Sequence, residues 1–284
     1  MTDIVERVAA EVRRQLGIAE SGPCSSDTCS DCPNFTGCRG AAEVIQDRGA
    51  DRVGCRPGVG ALPASLAGAI DHTLLKPEAT REDVIALCKE AKKHGFASVC
   101  VNPTWIRLAR SILDGTGVMT VAVIGFPLGS GTASAKAFEA RDAARAGAQE
   151  LDMVLNIGAL RSGDYRTVED DIRRVVEASR PIPVKVILET SKLTDEEKVI
   201  GSALSKLAGA AFVKTSTGFG GGGATVDDIT LMRRVVGAEL GVKASGGVRT
   251  EADAQNMMAA GATRLGASAS VAIVTGKKAS KGGY

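Results

Sequence analysis

Short apolar or β-branched runs alternate with amphipathic stretches through most of the chain. In the amphipathic stretches the apolar residues recur at the spacing of one helix face, whereas the runs are too short for helices and indicate buried strands. The predicted strands are Ala69–Asp71, Ser98–Val101, Thr120–Ile124, Glu150–Leu155, Val184–Leu188, Phe212–Lys214, Val242–Ser245 and Arg264–Gly266. The predicted helices are Arg81–Lys93, Ala133–Ala146, Tyr165–Ala178, Asp195–Leu207, Val226–Val236 and Glu251–Ala260.

Regular alternation of strand and helix is typical of an α/β fold with a parallel sheet. Eight strands with helical stretches between them, within residues 66–276, predict a (β/α)8 TIM barrel. Glycines stand where helix C-caps are expected, at Gly95, Gly147, Gly209 and Gly261. A doubly wound open sheet is the structural alternative, although no GxGxxG motif follows the first predicted strand.

The beginning of the chain has a different pattern. Residues 2–18 carry apolar positions at helical spacing, and Asp3 and Glu6 have the spacing of a capping box. We therefore expect an amphipathic helix in residues 1–20, followed by a glycine- and proline-rich linker over residues 21–65 and, after the barrel, a flexible tail over 277–284. A helix this short needs a groove for its apolar face, on its own barrel, on a sister subunit or on another protein.

Five of the seven cysteines precede residue 56. Four thiolates as close in sequence as these can close a tetrahedral zinc site or hold an iron–sulfur cluster, and either would order a segment with little core of its own. We expect zinc ahead of iron–sulfur, and the alternative is a set of redox-active or unpaired thiols. The candidate metal ligands are Cys24, Cys29, Cys32 and Cys38.

Composition excludes several classes of function. Lys+Arg 35 against Asp+Glu 33 gives a net charge of +2, so no global field favours nucleic acid or an anionic membrane. Aromatic residues make up only 3%, which argues against a base-stacking platform, and two histidines exclude a three-histidine metal site. No run of about 18 apolar residues and no export signal are present, so we expect a cytoplasmic protein.

Charged side chains stand at the carboxyl ends of three predicted strands, at Asp152, Lys214 and Lys243. Barrel active sites lie at this face. A lysine has an ordinary pKa of about 10.4, and a second ammonium about 6 Å away lowers it by about two units at an effective dielectric of about 20. Burial acts in the same direction. The pair therefore predicts a neutral amine nucleophile, which is what Schiff-base catalysis requires.

Glycine-rich segments follow the last three predicted strands. Gly218 follows the sixth, Gly246 and Gly247 follow the seventh, and Ser268 comes soon after the eighth. Loops after strands 7 and 8 are the common phosphate site of these barrels, where backbone N–H groups receive the anion. Their position beside the lysines favours a phosphorylated substrate.

Six motifs, in this order, together resemble deoxyribose-phosphate aldolase over about residues 68–276. The resemblance is specific because all six agree. The motifs are DHTLLKP from Asp71, SVCVNP from Ser98, GFPLG from Gly125, ELDMV from Glu150, FVKTSTG from Phe212 and VKASGGVRT from Val242.

The resemblance implies a class I aldolase that reversibly cleaves 2-deoxy-D-ribose 5-phosphate to acetaldehyde and D-glyceraldehyde 3-phosphate. It implies that Lys214 forms the Schiff base, that Lys243 lowers the pKa of Lys214 and assists proton transfer, and that Asp152 works with a water. It implies no cofactor for catalysis, and a homodimer. The residues that match substrate-binding positions are Asp71, Cys100, Gly218, Gly246, Gly247 and Ser268.

The helix predicted in residues 1–20 and its linker resemble the encapsulation peptides that bring enzymes into bacterial microcompartments. This resemblance implies a shell protein as partner. Two alternatives to the aldolase remain, namely a class I aldolase for another phosphosugar and a cargo or scaffold barrel whose main role is carried by the N-terminal arm.

Overall fold

Eight parallel strands close into a barrel in the computed structural model, which describes residues 2–16 and 65–276. The strands lie in sequence order around the barrel, and the last pairs with the first. The predicted (β/α)8 barrel is thus confirmed, and the open sheet is wrong. The strands are β1 Ile70–Leu74, β2 Ser98–Val101, β3 Met119–Ile124, β4 Glu150–Val154, β5 Val184–Ile187, β6 Phe212–Lys214, β7 Gly241–Ser245 and β8 Arg264–Ala267.

Helices cover the outside of the barrel. Three of them begin with a threonine capping box, in which the threonine accepts from the backbone three residues later and the acidic residue there accepts in return. The short helices Ile106–Leu113, Ile157–Arg161 and Ser270–Thr275 were not predicted, because each spans about two turns or fewer. The helices are α1 Thr2–Leu16, α2 Arg81–His94, α3 Ile106–Leu113, α4 Ala133–Ala146, α5 Ile157–Arg161, α6 Tyr165–Ser179, α7 Asp195–Leu207, α8 Val226–Val236, α9 Glu251–Ala259 and α10 Ser270–Thr275.

The strands divide their side chains between two environments. Outward-facing residues such as Val99, Met153 and Val186 are fully buried and join the helices in the main hydrophobic core. Inward-facing residues of β2 and β3, including Cys100 and Val121, form a small separate apolar cluster. Elsewhere the barrel interior holds several charged side chains, among them Asp71, Asp152, Lys185 and Lys243.

Phe212 fills the barrel interior near the start of β6 and is 1% exposed. Its ring lies 5.7 Å from Nζ of Lys185 and 5.3 Å from the guanidinium carbon of Arg264. A Cβ on Gly241, the paired residue of β7, would lie 2.0 Å from the ring. Glycine at position 241 therefore makes room for the aromatic ring between two cationic side chains, a favourable arrangement for the ring face.

Helix α1 packs on the outer surface formed by α6, α7 and α8. Ile4 and Val8, each 7% exposed, lie in the main hydrophobic core. The helix is also fixed by an ion pair from Arg7 to Glu169 of α6, with the closest atoms 2.9 Å apart. The predicted helix is confirmed, and of the three places considered for its apolar face the structure shows its own barrel.

A second ion pair, 2.8 Å long, joins Glu11 of α1 to Lys206 at the end of α7. Lys206 is well buried and also donates to the backbone carbonyl of Val236, at the end of α8. The two ion pairs therefore join α1 to two different helices of the barrel, α6 and α7, which fixes the position of α1 on its surface.

Several predictions fall outside the described residues. They are the four-cysteine metal site at Cys24, Cys29, Cys32 and Cys38, the linker over residues 21–65 except for its last residue, and the tail over 277–284. Within residues 2–16 and 65–276, no helix is both long and apolar enough to cross a membrane.

Candidate active site

Asp152, Lys214 and Lys243 meet inside the barrel, as their strand-end positions predicted. They project from β4, β6 and β7, and each is 2% exposed or less. Nζ of Lys214 lies 2.8 Å from Oδ2 of Asp152, and Nζ of Lys243 lies 2.7 Å from the same oxygen. One carboxylate oxygen thus holds both amines at one point of the interior.

Asp152 and Lys243 also belong to a closed ring of six alternating charges. Three carboxylates and three cations follow one another around the ring, so the ring as a whole is neutral. We call it the charge ring. Its contacts are Asp152–Lys185 2.8 Å, Lys185–Glu150 2.6 Å, Glu150–Arg264 2.9 Å, Arg264–Asp71 2.8 Å, Asp71–Lys243 2.5 Å and Lys243–Asp152 2.7 Å.

The two aspartates of the charge ring are held as carboxylates. Burial acts to raise the pKa of Asp71, but Arg264, Lys243 and Lys185 together lower it far below its usual range. Burial likewise opposes the ionisation of Asp152, and Lys185, Lys214 and Lys243 overcome it, so its pKa is also strongly lowered. Both aspartates therefore stay ionised across the physiological range.

The cations of the charge ring are held in their protonated forms. Burial acts to lower the pKa of Lys243, but Asp152 and Asp71 raise it well above that of an ordinary lysine. The pKa of Lys185 is raised in the same way, because Asp152 and Glu150 outweigh its burial. Asp71 and Glu150 likewise raise the pKa of Arg264 against its burial.

Lys214 behaves differently from the ring lysines. Burial is the largest cause that lowers its pKa, and the positive charge of Lys243 lowers it further, while Asp152 opposes both. The direction is the one the sequence predicts, but burial contributes more than the second lysine. Lys214 is therefore the lysine of this cluster that most readily supplies a neutral amine.

Asp71 and Cys100, both expected to line the site, are fully buried in the interior. Asp71 contacts Lys243 and Arg264, and Ser98 donates to it at 2.7 Å, so it acts on the site through Lys243. Burial raises the pKa of the Cys100 thiol to about 11, with Asp152 adding to the effect. The thiol is therefore neutral at physiological pH.

The loops after β6 and β7 lie against each other. The backbone N–H of Ala224 donates to the carbonyl of Gly246 at 2.9 Å, and a Cβ on Gly223 would lie 2.6 Å from that oxygen. Gly246 and Gly247 are consecutive residues with φ of +83° and +82°, a conformation that favours glycine. The glycine run of the β6 loop thus permits close contact of two backbones.

Other predicted phosphate-loop residues lie around these loops. Gly218 has a φ of +89°, and Ser268 is half-buried just after β8. The hydroxyl of Ser216 is buried and has no hydrogen-bond partner within residues 2–16 and 65–276. The sequence analysis did not single out Ser216, although it follows Lys214 by two residues in the FVKTSTG motif.

Glu189 fixes the loop after β6 from the end of β5. It is 2% exposed, and it has a φ of +58°, which is unusual for a residue with a side chain. Its carboxylate accepts from both the backbone N–H and the hydroxyl of Thr217. A Cβ on Gly220 would lie 2.6 Å from the Glu189 carboxyl carbon, so this loop is packed closely against the glutamate.

Sequence reasoning missed Glu150, Lys185 and Arg264, which complete the charge ring. The available signal was alternation, because Glu150 and Asp152 are two residues apart on one strand and so share a face. Lys185 likewise stands between two apolar residues of β5. A lysine in the middle of a buried strand faces the barrel interior whenever its neighbours face the helices.

Comparison with known proteins finds that the barrel part of the chain is similar to aldolases. Residues 66–279 match the DeoC/LacD family aldolase. A deoxyribose-phosphate aldolase from Listeria monocytogenes (serotype 4a, strain HCC23) is 57% identical over 218 residues, covering 76% of this chain and 98% of the relative. One from Streptococcus gordonii is 59% identical over 211 residues, covering 74% and 96%.

A solved structure gives the same result for the fold. The deoxyribose phosphate aldolase from Aeropyrum pernix, described as tetrameric, superposes with a TM-score of 0.69 and is 35% identical. The match covers 74% of this chain and 89% of the Aeropyrum chain.

Proposed function

The chain belongs to the DeoC/LacD family of aldolases, and from this premise we propose that it cleaves 2-deoxy-D-ribose 5-phosphate reversibly to acetaldehyde and D-glyceraldehyde 3-phosphate through a Schiff base on Lys214. Relatives 57–59% identical to it carry the name deoxyribose-phosphate aldolase. The observation that carries the proposal is the cluster of Asp152, Lys214 and Lys243, with both Nζ atoms on one carboxylate oxygen.

In the proposed reaction the neutral amine of Lys214 attacks the C1 aldehyde carbon of the open-chain sugar and forms a carbinolamine. Loss of the C1 hydroxyl as water, with the proton delivered through Asp152 and a water, leaves an iminium cation. The C3 hydroxyl then loses its proton, the C2–C3 bond breaks, and its electron pair forms an enamine on C1 and C2. Glyceraldehyde 3-phosphate leaves with the new C3 carbonyl.

The second half of the cycle returns the enzyme. The enamine carbon C2 takes a proton, and water adds to the resulting iminium at C1. Collapse of that carbinolamine releases acetaldehyde and the Lys214 amine. Lys243 stays protonated and, with Asp152, lies within reach of the protons that move at Lys214.

We propose that the substrate phosphate binds at the loops after β6, β7 and β8. Consecutive glycines at 246 and 247 leave their backbone unobstructed by side chains, which suits close approach of an anion. The unpartnered hydroxyl of Ser216 and the half-buried Ser268 add possible donors, and Gly218 lies in the same set of loops. Cys100 and Asp71 would form the inner wall.

Borohydride trapping with acetaldehyde, followed by peptide mass mapping, tests the proposal. We expect a reduced two-carbon adduct on Lys214, no adduct in Lys214→Leu, and a Lys214→Leu barrel that remains folded by circular dichroism. Turnover retained by Lys214→Leu contradicts the mechanism. An adduct on Lys243 alone shows that Lys243, and not Lys214, is the nucleophile. A panel of phosphorylated aldoses separates the proposed substrate from another phosphosugar. A folded chain without any adduct favours a cargo or scaffold barrel.

We also propose that residues 1–20 can attach the enzyme to a partner such as a microcompartment shell protein, which would place this cytoplasmic enzyme inside a microcompartment. A reactive, small product such as acetaldehyde is a reason to confine its source. Because the apolar face of α1 packs against its own barrel, attachment to a partner through this face requires that α1 first leave the barrel. Co-sedimentation of the full chain and of a chain lacking residues 1–20 with assembled shells tests this role.

For the cysteine-rich segment we propose a structural zinc site, with iron–sulfur as the alternative. The support is the spacing of Cys24, Cys29, Cys32 and Cys38 in sequence. Metal analysis of the full chain against a Cys29→Ser/Cys32→Ser variant tests it.

A homodimer is proposed from the family, and mass measurement in solution distinguishes it from a tetramer such as that of the Aeropyrum relative.

A further inference from the structure

Three members of the charge ring have no part in the proposed reaction, namely Glu150, Lys185 and Arg264. We propose that these three are positioning residues, which fix Asp152 as a carboxylate and Lys243 as an ammonium so that Lys214 is the one amine of the cluster free to lose its proton. This inference rests on the proposed role of Lys214 as nucleophile. Its test below reads the Lys214 amine directly, whatever the substrate.

The first argument is the orientation of Asp152. Its Oδ1 accepts from Lys185 at 2.8 Å, while its Oδ2 accepts from Lys214 and Lys243. With each oxygen engaged, rotation of the carboxylate would break contacts on both sides. Lys185 therefore determines which oxygen faces the reacting amine.

The second argument is the balance of charge. Each member of the charge ring touches two neighbours of opposite sign, so loss of a proton from Lys185 or Lys243 would leave two buried carboxylates short of a cation. Lys214 touches one carboxylate, and that carboxylate already has two other cations. Removing the Lys214 proton leaves the ring and Lys214 together with no net charge, which is the least costly arrangement in a dry interior.

The charged and titratable groups around Lys214 come from several strands. Asp152 of β4 contacts it, and Lys243 of β7 and the Cys100 thiol of β2 act on it electrostatically. Cys100 is neutral at physiological pH, since burial raises its pKa to about 11. Lys185 of β5 and Asp71 of β1 act on it through Asp152 and Lys243.

The same balance serves the whole cycle. In the proposed reaction the nitrogen of Lys214 alternates between a neutral amine or enamine and a cationic iminium. Around a neutral ring the cluster then alternates between zero and one net positive charge, and no ring member has to keep a changed protonation state. Asp152 returns to its carboxylate form after each proton that it passes.

The test is the titration of Lys214 by reductive methylation with formaldehyde and cyanoborohydride, mapped by mass spectrometry on the full chain at a series of pH values. Lys185→Met removes one positive charge and leaves the ring negative. A negative ring stabilises the protonated amine, so we expect the Lys214 titration to move to higher pH by about one to two units, with labelling at pH 7 about 10- to 100-fold slower.

The decisive variant is Glu150→Gln/Lys185→Met, in which the remaining members are two carboxylates and two cations. We expect its titration to return to within about half a unit of that of the unmodified chain. If the role of these residues were purely structural, the titration of the double variant should differ from that of the unmodified chain more than that of Lys185→Met does, because the double variant loses more contacts. The matched control is Lys136→Met, which removes a buried lysine paired with Asp171 outside the barrel interior and leaves the Lys214 titration in place.

Arg264→Gln makes the same charge change at a more exposed member of the ring and moves the titration in the same direction. Arg264→Gln replaces Lys185→Met in the experiment if thermal unfolding shows that Lys185→Met does not fold. The proposal is overturned if the Lys214 titration is unchanged in these single variants. It is also overturned if the titration midpoint of the double variant equals that of Lys185→Met. Failure of the proposed function shows instead as an unmodified chain that forms no acetaldehyde adduct on Lys214.

Discussion

Lys214 and Lys243 lie on neighbouring strands and donate to a single oxygen, Oδ2 of Asp152, from 2.8 and 2.7 Å. Their environments nonetheless shift their pKa values in opposite directions. Lys243 has a second carboxylate, Asp71, whereas Lys214 has no second one among the described residues, so burial prevails at Lys214 and the carboxylates prevail at Lys243. Two identical side chains thereby receive different chemical roles.

Replacement of Asp152 by asparagine should separate Schiff-base formation from turnover. Asp152 raises the pKa of Lys214, so its loss lowers that pKa further, and the amine becomes neutral at lower pH. Borohydride trapping by Asp152→Asn should therefore persist to more acidic pH than in the unmodified enzyme. Steady-state cleavage should fall by about 10²- to 10⁴-fold, because proton transfer loses its carboxylate. A trapping limb displaced to higher pH would contradict this account.

Gly266→Ala should displace Lys243 without altering any charge. A Cβ at position 266 would lie 2.8 Å from the hydroxyl oxygen of Ser245 and 3.0 Å from Cε of Lys243. We expect about 1–3 kcal/mol of destabilisation and a fall in kcat of about tenfold or more. Urea unfolding and steady-state kinetics measure the two effects. Gly131→Ala is the matched control, since nothing lies within 4 Å of its Cβ position, and equal losses in both variants would exclude a specific effect at Lys243.

Val8→Asp should release α1 from the barrel, because a carboxylate cannot be accommodated at a position that is 7% exposed in the core. Hydrogen exchange of the amides of residues 4–12 should accelerate, while kcat should stay at its original value, since the helix lies on the outside of the barrel. Ala10→Asp, on the exposed face of the same helix, should change neither. Loss of turnover in Val8→Asp alone would show that docking supports the active site.

His72 should make stability depend on pH in the weakly acidic range. It is buried on β1 and its Nε2 lies 2.7 Å from Glu90 of α2. Burial lowers its pKa and outweighs the effect of Glu90, so the folded chain binds this proton less readily than the unfolded one, whose histidine has a pKa of about 6.5. The stability from neutral His72 is therefore complete above about pH 6.5 and declines as pH falls toward the folded pKa.

Urea unfolding of His72→Gln at pH values from about 5 to 8 measures this contribution. Glutamine can still donate to Glu90 but does not titrate. The free energy of unfolding of His72→Gln should therefore fall less on acidification than that of the unmodified chain. Parallel curves for the two chains would assign the pH dependence to other groups.

The sequence was sufficient for the barrel and for its reacting residues. Asp152, Lys214 and Lys243 could be placed together because the carboxyl ends of parallel strands meet at one face of a barrel. Glu150 and Arg264 could not, because they stand at the amino ends of β4 and β8, which are distant around the barrel wall. Their contact depends on how far long side chains reach across the interior.

The site of α1 lay beyond sequence reasoning for a similar reason. Periodicity identifies an apolar stripe that includes Ile4 and Val8, but the groove that receives it is made by α6, α7 and α8 together. Its charged contacts with α1, Glu169 and Lys206, come from two different helices. The pattern within one helix does not show which residues of different helices come together to form one surface.

Because residues 17–64 join α1 covalently to the barrel, its contact with the groove on α6, α7 and α8 is intramolecular and does not depend on the protein concentration. A separate protein that seeks the same apolar face must compete with this intramolecular contact. Its apparent affinity for the enzyme is weaker than its affinity for the isolated helix by the ratio of docked to undocked chains. Changes at Arg7 or Glu11 that loosen docking would therefore strengthen recruitment without touching the recruiting partner.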